Sequence, residues 1–275
     1  MFPHTVFLGL DLYWWMVVVG VISAMVAFRL AHEQAGVSAK VFNFCVLILV
    51  AAIAVGYVFA VLFQSWYVYI ETGVFEWGIG ATFYGGFIGG VLTFFIGYFG
   101  VGHFVFKDKR HIAELNDAVS VMLPCVALAQ GFGRIGCLFE GCCYGVETDG
   151  ALGINVCADG VWSRRAPVQL YEALFMFALF FVLIVLRAKK NCEYTGSIYL
   201  IAYGAFRFII EFWRDDVRGA SGIPFLSPSQ LTAILLVIIG VAYIFVYKYF
   251  LKKVLSNVAQ KYGEYAKKHE EAPTV

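Results

Sequence analysis

The stretch GFGRIGCLFEGCCYG, residues 131–145, decides how the rest of this chain is read. It holds one arginine, one glutamate, three cysteines and five glycines. It closes an apolar run, residues 112–132, that is long enough to cross a bilayer, which takes roughly 20 residues. An arginine at the end of such a run is held beside lipid headgroups, where its planar fork matches phosphate geometry. Glycine at this density lets backbone pass close to a ligand or a neighbouring helix, and supplies positive φ where a turn needs it. Function is therefore expected here, at one face of a membrane.

The composition outside this stretch agrees with that expectation. The chain is 61% apolar and 18% aromatic but only 14% charged over 275 residues. A soluble domain carries about a quarter charged residues, so the fold class is an all-α, polytopic membrane protein. A net charge of +1 provides no overall field for nucleic acid. Seven runs are long enough to span, near residues 12–28, 41–63, 82–102, 112–132, 168–186, 195–213 and 229–249. The first lacks a basic leader and a small-residue cleavage site, and reads as a retained helix. Fourteen of the 20 lysines and arginines lie between runs one and two, three and four, five and six, or in the tail. The positive-inside rule then puts the C-terminus in the cytoplasm and the N-terminus outside. The expected organisation is one membrane domain, residues 1–250, with outer loops near 64–81 and 133–167. A basic cytoplasmic tail follows over residues 251–275, read as an interfacial or solvated helix with a disordered end.

Polar residues inside the runs are few, and each needs a reason. Tyr203, Arg207, Glu211 and Arg214 are spaced by four, four and three, which places them on one helical face. Ionisable groups in a span are costly and face a cavity or each other. The plain reading of Arg207 and Glu211 is a structural pair, and of Arg214 an interfacial side chain reaching for water. Arg207 lies too deep for that, so a ligand contact stands beside the structural pair. Gln169 and Glu172 open the fifth run on one face, and Glu172 reads first as a helix-dipole cap, as does Asp117 in the fourth. Glycines 85, 86, 89 and 90 in the third run read as close helix packing ahead of a ligand contact at Tyr84.

The cysteines leave two readings open. Cys137, Cys142, Cys143 and Cys157 fall outside the membrane in this topology. The pattern C-x4-C-C matches no familiar zinc spacing and no histidine accompanies it, so no metal is expected. Disulfide bonding and simple tight packing remain. Only His4 lies on the outer side, which leaves Tyr84 as the alternative proton handler. A phenol near pKa 10 is a poor base at neutral pH.

With these residues in view, the chain resembles the prolipoprotein diacylglyceryl transferases over residues 10–239. Tyr13 in LDLYWW is similar to that family's first-span tyrosine, and YGGFIGG at 84–90 to its third-span H-G-G. DAVSVMLPCVALAQGFGRIGC, residues 117–137, follows its run from an aspartate to G-R-x-G-N. PVQLYEA at 167–173 and YGAFRFIIEFWRDD at 203–216 resemble its P-x-Q-L-Y-E and Y-G-x-x-R-F-x-x-E-x-x-R motifs, and Gln230 matches a glutamine that opens the last span. The family histidine is Tyr84 here, and the asparagine after G-R-x-G is Cys137. A second asparagine and a glutamate align with Glu140 and Cys142.

The resemblance implies transfer of a diacylglyceryl group from phosphatidylglycerol to the thiol of a prolipoprotein's lipobox cysteine, in the bacterial cytoplasmic membrane. It implies that Arg134 and Arg207 hold the phosphate, that Tyr203 and Glu211 orient Arg207, and that Tyr84 stands near the thiol. Tyr13, Gly85, Gly86, Gln169, Glu172, Cys137, Glu140 and Arg214 are carried over as substrate-binding positions. This chemistry requires no metal or organic cofactor. Its partners are phosphatidylglycerol, the signal peptide of a prolipoprotein and membrane lipids, with no nucleic acid. Two alternatives stand beside it: a thiol–disulfide-active membrane protein using Cys137, Cys142 and Cys143, and a relative that binds phosphatidylglycerol without turnover.

Overall fold

The computed structural model of the chain describes residues 6–77, 80, 82–158, 161–215 and 225–270. In chain order it forms a short hairpin of β1 (Val6–Phe7) and β2 (Leu10–Asp11), then α1 (Leu12–Ala31) and α2 (Ala39–Thr72). The next helix, α3 (Phe83–Phe95), continues through a π-helical turn, Ile96–Val101, into α4 (Gly102–Val105). After α5 (Arg110–Ala113) come α6 (Leu115–Glu140) and a second hairpin of β3 (Ile154–Ala158) and β4 (Val161–Arg165). Then follow α7 (Val168–Lys190), α8 (Thr195–Ile210) with a 3-10 turn at Glu211–Trp213, α9 (Pro228–Val246) and α10 (Lys252–Glu270). The chain is mostly helical, as expected, with two small antiparallel hairpins that an all-α reading did not include.

Six helical stretches among the described residues are long and apolar enough to cross a membrane: Leu12–Ala31, Ala39–Ile70, Gly85–Val105, Leu115–Glu140, Val168–Lys190 and Pro228–Gly263. The expected run at 195–213 forms α8, a helix of 16 residues. The helix tightens at Glu211–Trp213 and turns extended at Arg214, where the chain meets polar partners.

The second departure concerns α6. It does not stop near residue 132 but runs two turns further, to Glu140. Gly133 and Gly136 are therefore helical, like Gly131, rather than loop residues. Each costs up to about 1 kcal/mol of helix propensity against alanine. Close approach offsets that cost at two of them, because the Phe177 ring lies over Gly131 and Tyr13 over Gly136.

Backbone contacts divide the chain into two compact units. The first comprises Met1–Gly36 and Asn116–Lys252, and so contains α1, α6, α7, α8 and α9. Its core includes Val121, Ala127, Val168, Ala173 and Leu183, all fully buried. In the same unit α7 and α8 meet through Phe175 and Phe206, stacked at 3.9 Å. The second comprises Val37–Leu115 and Lys253–Val275. There α2 and α3 pack closely, and a Cβ built on Gly85 would fall 2.6 Å from the Phe59 carbonyl oxygen. Thr82 caps α3, its hydroxyl accepting from the Gly85 N–H at 3.4 Å, so the helix starts without a break. The glycines thus follow the packing reading. In the same unit the Arg110 guanidinium sits 4.7 Å over the Tyr262 ring of α10.

Candidate active site

The polar centre of the first unit is built where the last turns of α6, the first of α7 and the end of α8 come together. Glu172, on the inward face of α7 and 1% exposed, is the hub. Its Oε2 lies 3.1 Å from Arg134 Nε and 3.2 Å from Arg214 Nη1. Its Oε1 lies 3.7 Å from Arg207 Nε. Glu211 is the second acid: its Oε2 is 2.7 Å from Arg207 Nη1 and 3.9 Å from Arg214 Nε. The Ser227 hydroxyl donates to Glu211 Oε1 at 2.7 Å and also caps α9, in a box completed by Gln230. Glu211 is thereby held by the start of α9 as well as by its own helix.

Among these described ion pairs, three guanidiniums share two carboxylates. The side chains of Arg207 and Arg214 are almost fully buried, at 6% and 2% exposure, whereas Arg134 is 23% exposed. Buried like charges of this kind are costly unless a further anion is at hand. Arg207 Nη2 is buried and makes no hydrogen bond among the described residues. A phosphate oxygen is the acceptor that a guanidinium in this position binds best. The arrangement can neutralise a phosphate, and charge that builds on it.

Arg134 opens onto a cavity of about 360 Å³ lined by Asp11, Tyr13, Trp14, Arg134, Cys137, Glu140, Cys142 and Cys143. Arg134, Cys137 and Glu140 are spaced by three along α6 and so share one face. The helix ends at Gly141, whose φ of +76° is the left-handed stop that glycine supplies. The N–H groups of Gly141 and Cys142 both donate to the Cys137 carbonyl, at 3.0 and 3.2 Å. Cys143 is itself left-handed, at φ +60°. The turn folds the loop cysteines back over the helix, and the Sγ atoms of Cys137, Cys142 and Cys143 lie within 4.8 Å of one another. Gln169 ties the turn to α7 by donating from Nε2 to the Cys142 carbonyl at 2.6 Å. Thiols of Cys137 and Cys142 donating to Cys143, with Arg214 and Arg134 nearby, hold the Cys143 thiol well below the usual range. All three are free cysteines. Cys157 lies in β3.

The loop after the cysteines is more ordered than its polarity implies. The Gly145 N–H donates to the Ala166 carbonyl at 3.0 Å and the Val146 N–H to the Trp213 carbonyl at 3.0 Å. Arg165 adds Asp215 at 2.6 Å, Glu147 at 3.2 Å and the Tyr144 ring at 4.6 Å. This platform joins the GCCYG turn to the end of α8.

Most of the residues singled out in the sequence meet here: Arg134, Arg207, Glu211, Arg214, Gln169, Glu172, Tyr13, Cys137 and Glu140. Tyr203 stacks on Tyr199 at 5.9 Å, and Tyr199 donates to Gln130 at 2.7 Å. Gly85 and Gly86 belong to the second unit, as does Tyr84, whose side chain lies outside the described residues. Two readings are corrected. Glu172 is not a helix-dipole cap but the shared partner of three arginines, and Arg214 does not reach for water but is buried against Glu172. Asp117 likewise pairs with Arg187, at 2.6 Å, a contact that spacing does not reveal.

Comparison with known proteins identifies the family. Residues 3–246 match the family described as "Prolipoprotein diacylglyceryl transferase". The chain is 36% identical over 236 residues to phosphatidylglycerol–prolipoprotein diacylglyceryl transferase 2 of Clostridium perfringens, covering 83% of this chain and 88% of that protein. It is 30% identical over 241 residues to the transferase of the same description from Clostridium tetani, covering 85% and 92%. For the Clostridioides difficile protein of that description the identity is 27% over 262 residues, covering 92% and 96%. By the length of that match and the identity to its relatives, the chain belongs to the prolipoprotein diacylglyceryl transferase family.

Proposed function

We propose that the protein transfers the diacylglyceryl group of phosphatidylglycerol to the thiol of a prolipoprotein's lipobox cysteine, at the outer face of the bacterial cytoplasmic membrane. The donor's phosphate sits against Arg134 and Arg207. The incoming sulfur attacks the glycerol carbon next to that phosphate, an S–C bond forms and the C–O bond breaks. The leaving glycerol phosphate takes the electron pair, and the arginines neutralise the charge that builds on it. Glu211 and Glu172 fix the Arg207 fork. In this reading the loop containing Arg164 lies outside and Lys189 inside, as the distribution of basic residues favours.

The observation that carries the reading is the convergence of Arg134 and Arg207 on Glu172, with Arg207 Nη2 buried and making no hydrogen bond among the described residues. The test is turnover per folded molecule with phosphatidylglycerol vesicles and a lipobox peptide. Lysine keeps the charge but not the two-pronged fork, so Arg207→Lys is expected to resemble Arg207→Ala. Both should lose roughly a hundredfold in rate, about 3 kcal/mol. Normal turnover by Arg207→Ala would remove the phosphate clamp from the mechanism. A thiol–disulfide protein would show no lipid transfer by the wild type.

A further inference from the structure

We propose that Cys137, Cys142 and Cys143 form a binding site for a thiophilic divalent cation, zinc foremost, whose fourth coordination position takes the acceptor cysteine's thiol. The proposal deepens the transferase reading and rests on it for the identity of the thiol.

Geometry comes first. The three Sγ atoms lie within 4.8 Å of one another. Zinc holds thiolate sulfur at about 2.3 Å, which sets tetrahedral sulfurs about 3.8 Å apart. The cluster therefore needs to close by no more than about 1 Å. The shape is already present in the backbone: Gly141 turns the chain, Gln169 holds the Cys142 carbonyl, and Cys143 occupies a left-handed conformation that a side chain rarely adopts. A residue held in such a conformation by its surroundings often marks a functional site.

The ligand set decides the metal. Three sulfurs with no imidazole among them select zinc or another soft cation over magnesium or calcium. Three protein ligands with one open position is the catalytic form of a zinc site, where structural sites close with four. The open side faces the cavity of about 360 Å³ that also holds Arg134, so a metal-bound thiolate and an arginine-bound phosphate would share one space. Three thiolates and one zinc carry a net charge of −1, and a fourth thiolate makes it −2. Arg134 offsets part of that charge.

Chemistry supplies the purpose. A free cysteine thiol, at pKa about 8.5, is mostly protonated at neutral pH, whereas a coordinated thiol is deprotonated outright. The acceptor's proton leaves to solvent as its sulfur joins the metal. That sulfur then forms the S–C bond while the C–O bond breaks toward phosphate. The thioether product is a weaker ligand and departs. No oxidation or reduction takes place, and no histidine is needed in residues 131–145, which contain none.

The experiment uses the full chain in detergent, purified under reductant and incubated separately with Zn2+ and with Co2+. About one metal per chain should remain after desalting. The Co2+ form should show a thiolate charge-transfer band that shifts on addition of lipobox peptide but not of its Cys→Ser counterpart. Cys137→Ser and Cys143→Ser should lose the band, and chelation followed by Zn2+ should remove and restore turnover in the wild type. Retention of no metal would overturn the proposal, as would a disulfide within the cluster after thiol blocking at lysis. A Co2+ band indifferent to peptide would overturn it too. Full turnover after chelation, and by Cys143→Ser, overturns the metal site and leaves the transferase reading standing. A peptide-responsive Co2+ band in a protein that transfers no lipid keeps the site and overturns the transferase reading.

Discussion

The two ends of the antiparallel α6–α7 pair carry the same kinds of charge in different proportions. At one end Asp117 and Arg187 meet one to one at 2.6 Å, and Arg187 Nη2 also donates to the Ala35 carbonyl at 2.7 Å. At the other, Glu172 and Glu211 are shared among Arg134, Arg207 and Arg214. The matched pair closes on itself and binds the chain before α2 to two helices. The other set gathers three guanidiniums around Glu172, and among the described residues Arg207 Nη2 makes no hydrogen bond, so it can take an anion's oxygen. Burial alone does not separate them, since Arg187 and Arg207 are both buried. The number of guanidiniums gathered on one carboxylate does.

The largest effect expected from breaking this comparison is at the hub. Glu172→Gln takes from three guanidiniums the carboxylate they share, and removing one partner of a buried ion pair costs about 3–5 kcal/mol. The melting temperature in detergent should fall accordingly, and added phosphatidylglycerol should recover part of the loss by supplying the missing anion. An unchanged melting temperature would mean that the network does not depend on Glu172.

A smaller effect is expected at the matched end. Arg187→Ala should cost about 1–2 kcal/mol of stability, because Asp117 is 36% exposed and water can take over its solvation. Turnover per folded molecule should stay at the wild-type level. A tenfold drop in that turnover would show that the two ends are coupled, and would dissolve the distinction between clamp and receptor.

The smallest effect sharpens the comparison at Ser227. Ser227→Ala removes an N-cap worth about 1 kcal/mol and the hydroxyl that orients Glu211. A modest loss of stability with a few-fold fall in turnover is expected, measured beside Thr232→Ala as a control on the same helix. Equal turnover in the two variants would mean that Ser227 acts on α9 alone.

How much was legible follows from the range of each interaction. Arg207 and Glu211 are four apart on a helix, so their meeting follows from helical pitch. Glu172 and Arg214 are 42 residues apart, and no local spacing could join them. The apolar run 195–213 matches α8 and the 3-10 turn that follows it to Trp213, whereas the extended backbone at Arg214 belongs to a tertiary setting. The apolar run breaks off near residue 132, yet α6 continues to Glu140, where Tyr13 packs against Gly136.

The sequence by itself determined the membrane class, the family resemblance and the residues whose chemistry suits a phosphate. Each of these depends on composition or on motif spacing along a single strand of chain. Tertiary structure alone decided that Glu172 is shared by three arginines and that Asp117 belongs to Arg187. It also decided that Cys137, Cys142 and Cys143 converge, because a left-handed turn at Gly141 and the bond from Gln169 set where the loop returns. Spacing in sequence fixes contacts within one helix, whereas charge balance and sulfur convergence arise only where separate helices end side by side.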